Sequence, residues 1–149
     1  MNIFVDADAC PVKQEVYRVA TRYGLDVTLV ANAPMRVPDW VALEIVGGRS
    51  DAADDWIVDH VNRDDIVVTA DILLADRCIK KDAQVIGPSG KPFSEEGIGQ
   101  AVATRNLLAE LRGAGEIMGG PPPLKQRDRS QFLQQLDNII QSTRRKRSF

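Results

Sequence analysis

The chain is poor in the residues that build soft-metal centres and disulfide frameworks. Its 149 residues include one histidine, His60, and two cysteines, Cys10 and Cys78. Two thiols make neither a disulfide framework nor a zinc site, and a single imidazole excludes a Cys/His metal centre. Any bound metal must therefore be a hard cation held by oxygen: Mg²⁺, Mn²⁺ or Ca²⁺. Aromatic residues make up only 5% of the chain, so the core must be aliphatic. No run approaches the roughly 18 apolar residues that span a bilayer. No basic stretch precedes Ile3-Phe4-Val5, which argues against a signal peptide. The expectation is a cytoplasmic protein with reduced thiols and no membrane partner.

The formal charge of −2 hides an asymmetry. From Lys125 onward seven basic residues face two acidic ones, leaving twelve basic and nineteen acidic residues in the body. The body thus carries −7 and the tail +5 by formal count, unlike a plain basic DNA-binding protein.

Hydrophobic patterning alternates strands with helices. Strands are expected at 2–6, 25–31, 40–46, 66–69 and 83–86. Helices are expected at 11–23, 51–62, 71–81 and 94–112. Pro11 suits a first helical turn, Gly24 a helix stop and Ser94 a cap. Turns are expected at 47–50 and 87–92. The alternation predicts an α/β fold with a mostly parallel central sheet flanked by helices in three layers. Gly119-Gly120-Pro121-Pro122-Pro123 reads as a linker. Phe132, Leu133, Leu136, Ile139 and Ile140 then recur at helical spacing. This divides the chain into an α/β domain over 1–118 and a linker with a basic C-terminal helix over 119–149. The apolar face of that helix has two candidate partners: the chain's own body, or a second copy in a homodimer.

Aspartates fall where strands end. Asp6 and Asp8 close the first strand, and if the backbone stays extended they share a face. Asp8 has a second reading as a helix cap. Asp6 lacks that alternative, and a carboxylate directly after Ile3-Phe4-Val5 needs a partner. In Asp51-Ala52-Ala53-Asp54-Asp55 the helical wheel turns Ala53, Ile57 and Val61 inward, places Asp54 beside that stripe and sends Asp55 toward solvent. Asp51 is explained by the helix dipole. Asp71 follows Val67-Val68-Thr69-Ala70 and reads equally as a cap or a ligand. Carboxylates held within about 4–6 Å of one another repel, and an Mg²⁺ or Mn²⁺ ion would neutralise them. The expected metal set is Asp6, Asp54 and Asp71, with Asp8 and Asp55 as alternates. Thr69 is expected to orient an aspartate or touch phosphate, with Arg49 and Lys13 as phosphate contacts. Such a site supports phosphodiester hydrolysis.

Val5-Asp6-Ala7-Asp8-Ala9-Cys10-Pro11-Val12, the Asp51–Ile57 segment and Val67-Val68-Thr69-Ala70-Asp71-Ile72-Leu73-Leu74-Ala75 together resemble the YaiI/YqxD family of bacterial proteins. That family in turn resembles PIN-like nucleases, which carry an acid after the first strand, an acid in a central helix and a Thr-x-Asp-x-x-Leu segment. The resemblance implies a metal-dependent nuclease acting on RNA or another nucleic acid. A further late acid is common in PIN-like domains, and Asp76 is the candidate here.

Two rivals remain. Asp6-Ala7-Asp8 also resembles the Asp-x-Asp start of haloacid-dehalogenase-type phosphatases, where the first aspartate is the nucleophile. In that family Thr or Ser, Lys and paired acids follow in order, whereas Asp54-Asp55 here precede Thr69. The other rival is a non-catalytic module whose basic tail, ending in Arg144-Arg145-Lys146-Arg147, grips nucleic acid. Cys10 stands before a helix start but has no histidine nearby, and a buried inert thiol is expected there.

Overall fold

A computed structural model describes residues 1–47, 51–113 and 124–147. Its strands are β1 (Asn2–Asp6), β2 (Asp26–Ala31), β3 (Ala42–Ile45), β4 (Ile66–Val68), β5 (Gln84–Ile86) and β6 (Pro92–Phe93). Its helices are α1 (Lys13–Tyr23), α2 (Ala52–His60), α3 (Ile72–Ile79), α4 (Glu95–Gly113) and α5 (Gln126–Arg147). The strands form one sheet in the order β3-β2-β1-β4-β5-β6. Every pairing is parallel except that of β5 with β6. Residues 48–50 of the expected 47–50 turn, Arg49 among them, and the whole 119–123 linker lie outside the described residues.

Parallel strands are covered on both faces, so consecutive residues feed opposite layers. Ile3 and Val5 join Val27, Leu29, Ala31, Ile66 and Val68 in one buried cluster with Val16, Val19 and Ala20 of α1. Phe4, Val30, Val67 and Val85 point the other way, onto Ala53 and Ile57 of α2 and Leu74, Ala75 and Cys78 of α3. The expected α/β/α layering is realised.

The C-terminal helix belongs to the first of these layers. Phe132, Leu136 and Ile140 are fully buried in the cluster that holds α1. Arg129 fastens the contact by donating to the Pro11 carbonyl at 2.7 Å and pairing with Glu15 at 3.2 Å. The apolar face set aside for the chain's own body or a second copy thus lies against the chain's own body.

Local punctuation explains most boundaries. Gly24 ends α1 at φ +65° and returns its N–H to the Ala20 and Thr21 carbonyls, a conformation that favours glycine. Helix α1 begins at Lys13 rather than Pro11, which stands in the turn before it. Ser94 accepts the Gly97 N–H at 3.0 Å and caps α4 as expected. Residues 87–92, read as loop, include the start of a short hairpin. Gly90 turns at φ +89° and Pro92 pairs with Ile86. A two-residue strand is too short to show a period of two, so no sequence pattern announces β6.

Candidate functional site

The strand order places a reversal at β1. From β1 the chain steps outward to β2 and β3, then crosses back to add β4 on the other side. At such a reversal the loops leaving neighbouring strands diverge and open a crevice beyond the carboxyl ends. Asp6 ends β1, and Thr69 follows the last residue of β4. Val5 pairs with Val68 in register, so the next step brings Asp6 and Thr69 side by side across that crevice.

The Thr69 hydroxyl donates to Asp6 Oδ2 at 2.9 Å. The Thr69 hydroxyl oxygen itself accepts the Asp71 N–H at 3.0 Å. Thr69 is 2% exposed, so this hydroxyl sits fixed between two acids. Asp71 in turn caps α3, its Oδ1 accepting from the N–H groups of Leu73 (2.9 Å) and Leu74 (3.3 Å). The cap reading of Asp71 is therefore correct, and it does not remove Asp71 from the cluster: the Asp54 carboxyl lies in hydrogen-bond contact with Asp71.

Asp54 reaches this point because α2 lies across β1. Trp56 meets Phe4 edge-on, with ring centroids 6.1 Å apart, and stacks on His60 at 3.7 Å. The pair fixes the roll of α2. Burial, then the charges of Asp71 and Asp6, push the Asp54 carboxyl up to about 6. Burial likewise raises Asp6, with Asp71 and Asp8 adding to it and the Thr69 hydroxyl opposing it. The three acids expected to converge do feel one another.

Asp8 and Asp55 take other partners. The backbone does not stay extended past Asp6 but enters a 3-10 turn over Ala7–Ala9. Asp8 therefore leaves the face of Asp6, and both its oxygens accept the Asn32 N–H, at 3.0 and 3.1 Å. It ties the end of β1 to the end of β2 and does not cap α1, which has no side-chain cap. Asp55, expected at solvent, forms an ion pair with Arg77 of α3 at 2.9 Å. That bond clamps α2 to α3. Lys13 donates to the Cys10 carbonyl at 3.0 Å and does not line the crevice that Cys10 borders. Asp76 pairs with Lys80 at 3.1 Å along its own helix, leaving no late acid from α3 for the cluster.

The crevice has a volume of about 400 Å³ and is lined by Asp6, Cys10, Thr69, Ala70, Asp71, Ile72 and Pro88. Cys10, Ile72 and Pro88 make an apolar wall that the sequence reading missed. Pro88 had one available signal, its place just past the end of β5, the strand next to β4. Burial raises the Cys10 thiol, so this wall is neutral, in keeping with an inert cysteine. Cys78, on the buried face of α3, is pushed up to about 12 by burial.

The donor chemistry fits a hard cation. Asp6, Asp71 and Thr69 bring oxygens to the crevice beside the Cys10 thiol, and burial makes charge costly on Asp6 and Asp54. Among the described residues no group of three or more His, Cys, Asp or Glu side chains is assembled to enclose a metal ion.

Fold and site together define a doubly wound α/β protein with an acidic crevice at its topological switch point. The chain belongs to the family described as "Uncharacterized BCR, YaiI/YqxD family", whose model matches residues 4–142. A UPF0178 protein of Bradyrhizobium sp. (strain ORS 278) is 52% identical over 150 residues, covering 99% of this chain and 92% of the relative. One from Rhodopseudomonas palustris (strain HaA2) is 55% identical over 148 residues, 98% of this chain and 90% of its own. One from Sphingopyxis alaskensis is 54% identical over 146 residues, covering 96% and 95%. No solved structure matches the chain significantly. Among the described residues no helix is long and apolar enough to cross a membrane.

Proposed function

We infer that the chain is a metal-dependent nuclease, a ribonuclease of PIN-like type working in the cytoplasm. The observation that supports this reading is the meeting of Asp6 and the Asp71 N–H on the Thr69 hydroxyl at the strand-order reversal, with Asp54 pushed up to about 6 by burial and by the Asp71 and Asp6 charges. In the absence of a cation, burial and the neighbouring Asp71 and Asp6 charges favour the protonated form of Asp54. Mg²⁺ or Mn²⁺ held by these three carboxylates would neutralise charge on a phosphoryl oxygen and activate water. Thr69 fixes the Asp6 carboxylate through its hydroxyl. Lys13, whose ammonium donates to the carbonyl of the crevice residue Cys10, would turn a further N–H to a phosphate. The neutral wall of Cys10, Ile72 and Pro88 excludes water from one side of a bound nucleotide.

A phosphatase that used Asp6 as nucleophile would need an acid or base two residues on. Asp8 stands there, but both its oxygens accept the Asn32 N–H. The test is labelled single-stranded RNA with and without Mn²⁺. Wild type is expected to cut only with the metal. Asp6→Asn and Asp71→Asn are expected to bind but lose more than about 100-fold in rate, since even outer partners of a metal site contribute 10–100-fold. Asparagine caps helices as well as aspartate does, so Asp71→Asn retains the start of α3. A wild type that binds and never cuts with any divalent cation would make this a non-catalytic binding module.

A further inference from the structure

A second groove lies on the outer side of α1, away from the acidic crevice. It holds about 430 Å³ between α1 and the loop after β2, with Gln14, Tyr17, Arg18, Arg22 and Trp40 among its walls. Trp40 is 46% exposed, an unusual position for the larger of the aromatic side chains. Its indole is nonetheless fixed: the buried Tyr17 ring meets it edge-on, with centroids 5.9 Å apart and planes at 77°. Pro38 closes the loop end of the groove.

Gln14, Arg18 and Arg22 follow one another at four-residue steps, so they line one face of α1 at about 6 Å intervals. Arg18 is exposed. Arg22 is 60% exposed and leans on Asp137 at 3.3 Å. Arg36 is exposed on the same loop as Trp40, as is the one acid there, Asp39. A flat aromatic face beside a cationic row stands out on a body that is otherwise acidic. Its chemistry matches one ligand class: a base has a π-face to stack on an indole, and successive phosphates accept from successive guanidinium groups.

The chain leads from the crevice into the groove: Cys10 lines the one and Gln14, four residues on, the other. Helix α1 starts at the carboxyl edge of the sheet, and Cys10, a wall of the crevice, is held by Lys13 one residue before Gln14. We propose that the Trp40–Arg18–Arg22 groove binds a single-stranded segment of nucleic acid, one base stacked on Trp40 and the phosphates running along α1. The choice of nucleic acid as ligand rests on the nuclease reading; the binding itself requires neither metal nor cleavage.

Fluorescence anisotropy with a labelled single-stranded oligouridylate, in EDTA and across a salt series, tests it on the full chain. Wild type is expected to bind. Trp40→Ala is expected to weaken binding about tenfold, within the range for loss of one base stack. Trp40→Phe keeps a stacking face and is expected to restore most of the affinity, which a merely structural role for Trp40 would not require. Arg18→Gln, an exposed change that leaves the fold intact, is expected to reduce the salt slope by about 0.7, the value for one phosphate contact on a single strand. Affinity unchanged in Trp40→Ala and a salt slope unchanged in Arg18→Gln would overturn the proposal. Uridine monophosphate binding as tightly as the oligomer would also overturn it, in favour of a small-molecule pocket. Binding through Trp40 without any cleavage in Mn²⁺ leaves the groove standing and removes the nuclease; cleavage that Trp40→Ala does not alter does the reverse.

Discussion

Thr69 donates its hydroxyl proton to Asp6 across the junction where the sheet reverses its strand order, at 2.9 Å. The bond joins the two central strands at the one place where their following loops part. Its oxygen also receives the Asp71 N–H, so a single side chain sets the spacing of two acids that repel each other.

Thr69→Val keeps the shape and removes both bonds. The Asp71 N–H is then left without its acceptor in a half-buried place, and such a loss costs about 1–3 kcal/mol. Urea denaturation is expected to show a destabilisation of that size with an unchanged m-value. Thr69→Ser, which keeps the hydroxyl, is expected to recover most of it. Equal losses in the two variants would mean that the methyl group, not the hydroxyl, matters.

Asp54 makes stability depend on pH in an unusual direction. Its folded pKa, about 6, lies above the ordinary value of 3.8. Between pH 4 and 6 the folded chain therefore binds more protons at this position than the unfolded chain, and stability falls as pH rises. The penalty is full above pH 6 and absent below pH 4. Asp54→Asn in metal-free buffer at neutral pH is expected to stabilise by roughly 1 kcal/mol, allowing for solvent screening. That corresponds to about 2–4 °C in Tm. Thermal melts that show the same gain at pH 4 and pH 7.5 would rule out this origin.

Divalent cations act on the same charges. A ligand at a hundred times its Kd that binds only the folded state adds about 2.7 kcal/mol, or roughly 5–10 °C for a chain of this size. Mn²⁺ is expected to raise Tm for wild type, and Asp6→Asn, Asp54→Asn and Asp71→Asn are each expected to abolish the shift. Arg77→Gln removes the ion pair with Asp55 and none of the three carboxylates, so its shift is expected to persist. A Mn²⁺ shift that survives in all three aspartate variants would place the cation elsewhere.

The β5–β6 turn touches α5 directly. A Cβ at Gly90 would stand 2.8 Å from backbone atoms of Gln131 and Phe132 and would have to tolerate φ +89°. Gly90→Ala is expected to cost about 3 kcal/mol through overpacking and backbone strain. Gly24→Ala meets open space at φ +65° and is expected to cost less, about 1 kcal/mol. Phe132→Ala empties a fully buried site and is expected to cost about 3–5 kcal/mol. Equal effects at Gly24 and Gly90 in denaturation curves would show that α5 does not press on the turn.

Much of this molecule could be read before any coordinates. Ile3-Phe4-Val5, Val27 to Ala31 and Ile66-Val67-Val68 are short apolar runs between helical stretches, and a parallel sheet is the arrangement that buries both faces of such runs. Asp6 and Asp71 are legible as edge residues because one ends a strand and the other starts a helix, positions that an α/β fold aims at one edge. The wheel position of Asp54 beside Ala53 and Ile57 agrees with its raised carboxyl, which burial and the Asp71 charge push up to about 6.

The other aspartates show where that reasoning stops. Asp8 was expected to share the face of Asp6, but a 3-10 turn begins between them, and no alternation of side chains survives a change of backbone conformation. Asp55 was sent to solvent by the same wheel that placed Asp54 well. Its partner, Arg77, lies on another helix, and a pairing between residues 22 apart leaves no mark in either segment. The body of α5 carried an apolar stripe, yet only packing decided that the stripe covers α1.

Local patterning sufficed for every element but β6 and for their order, because hydrophobic period and turn chemistry are local properties of the chain. Tertiary structure alone decided which oxygens meet. It set the reversal at β1, the bond from Thr69 to Asp6, the ties of Asp8 to Asn32 and of Asp55 to Arg77, and the groove beside Trp40. Those contacts are fixed by register and crossing geometry between distant segments, and burial turns them into shifted charge only once the layers have closed.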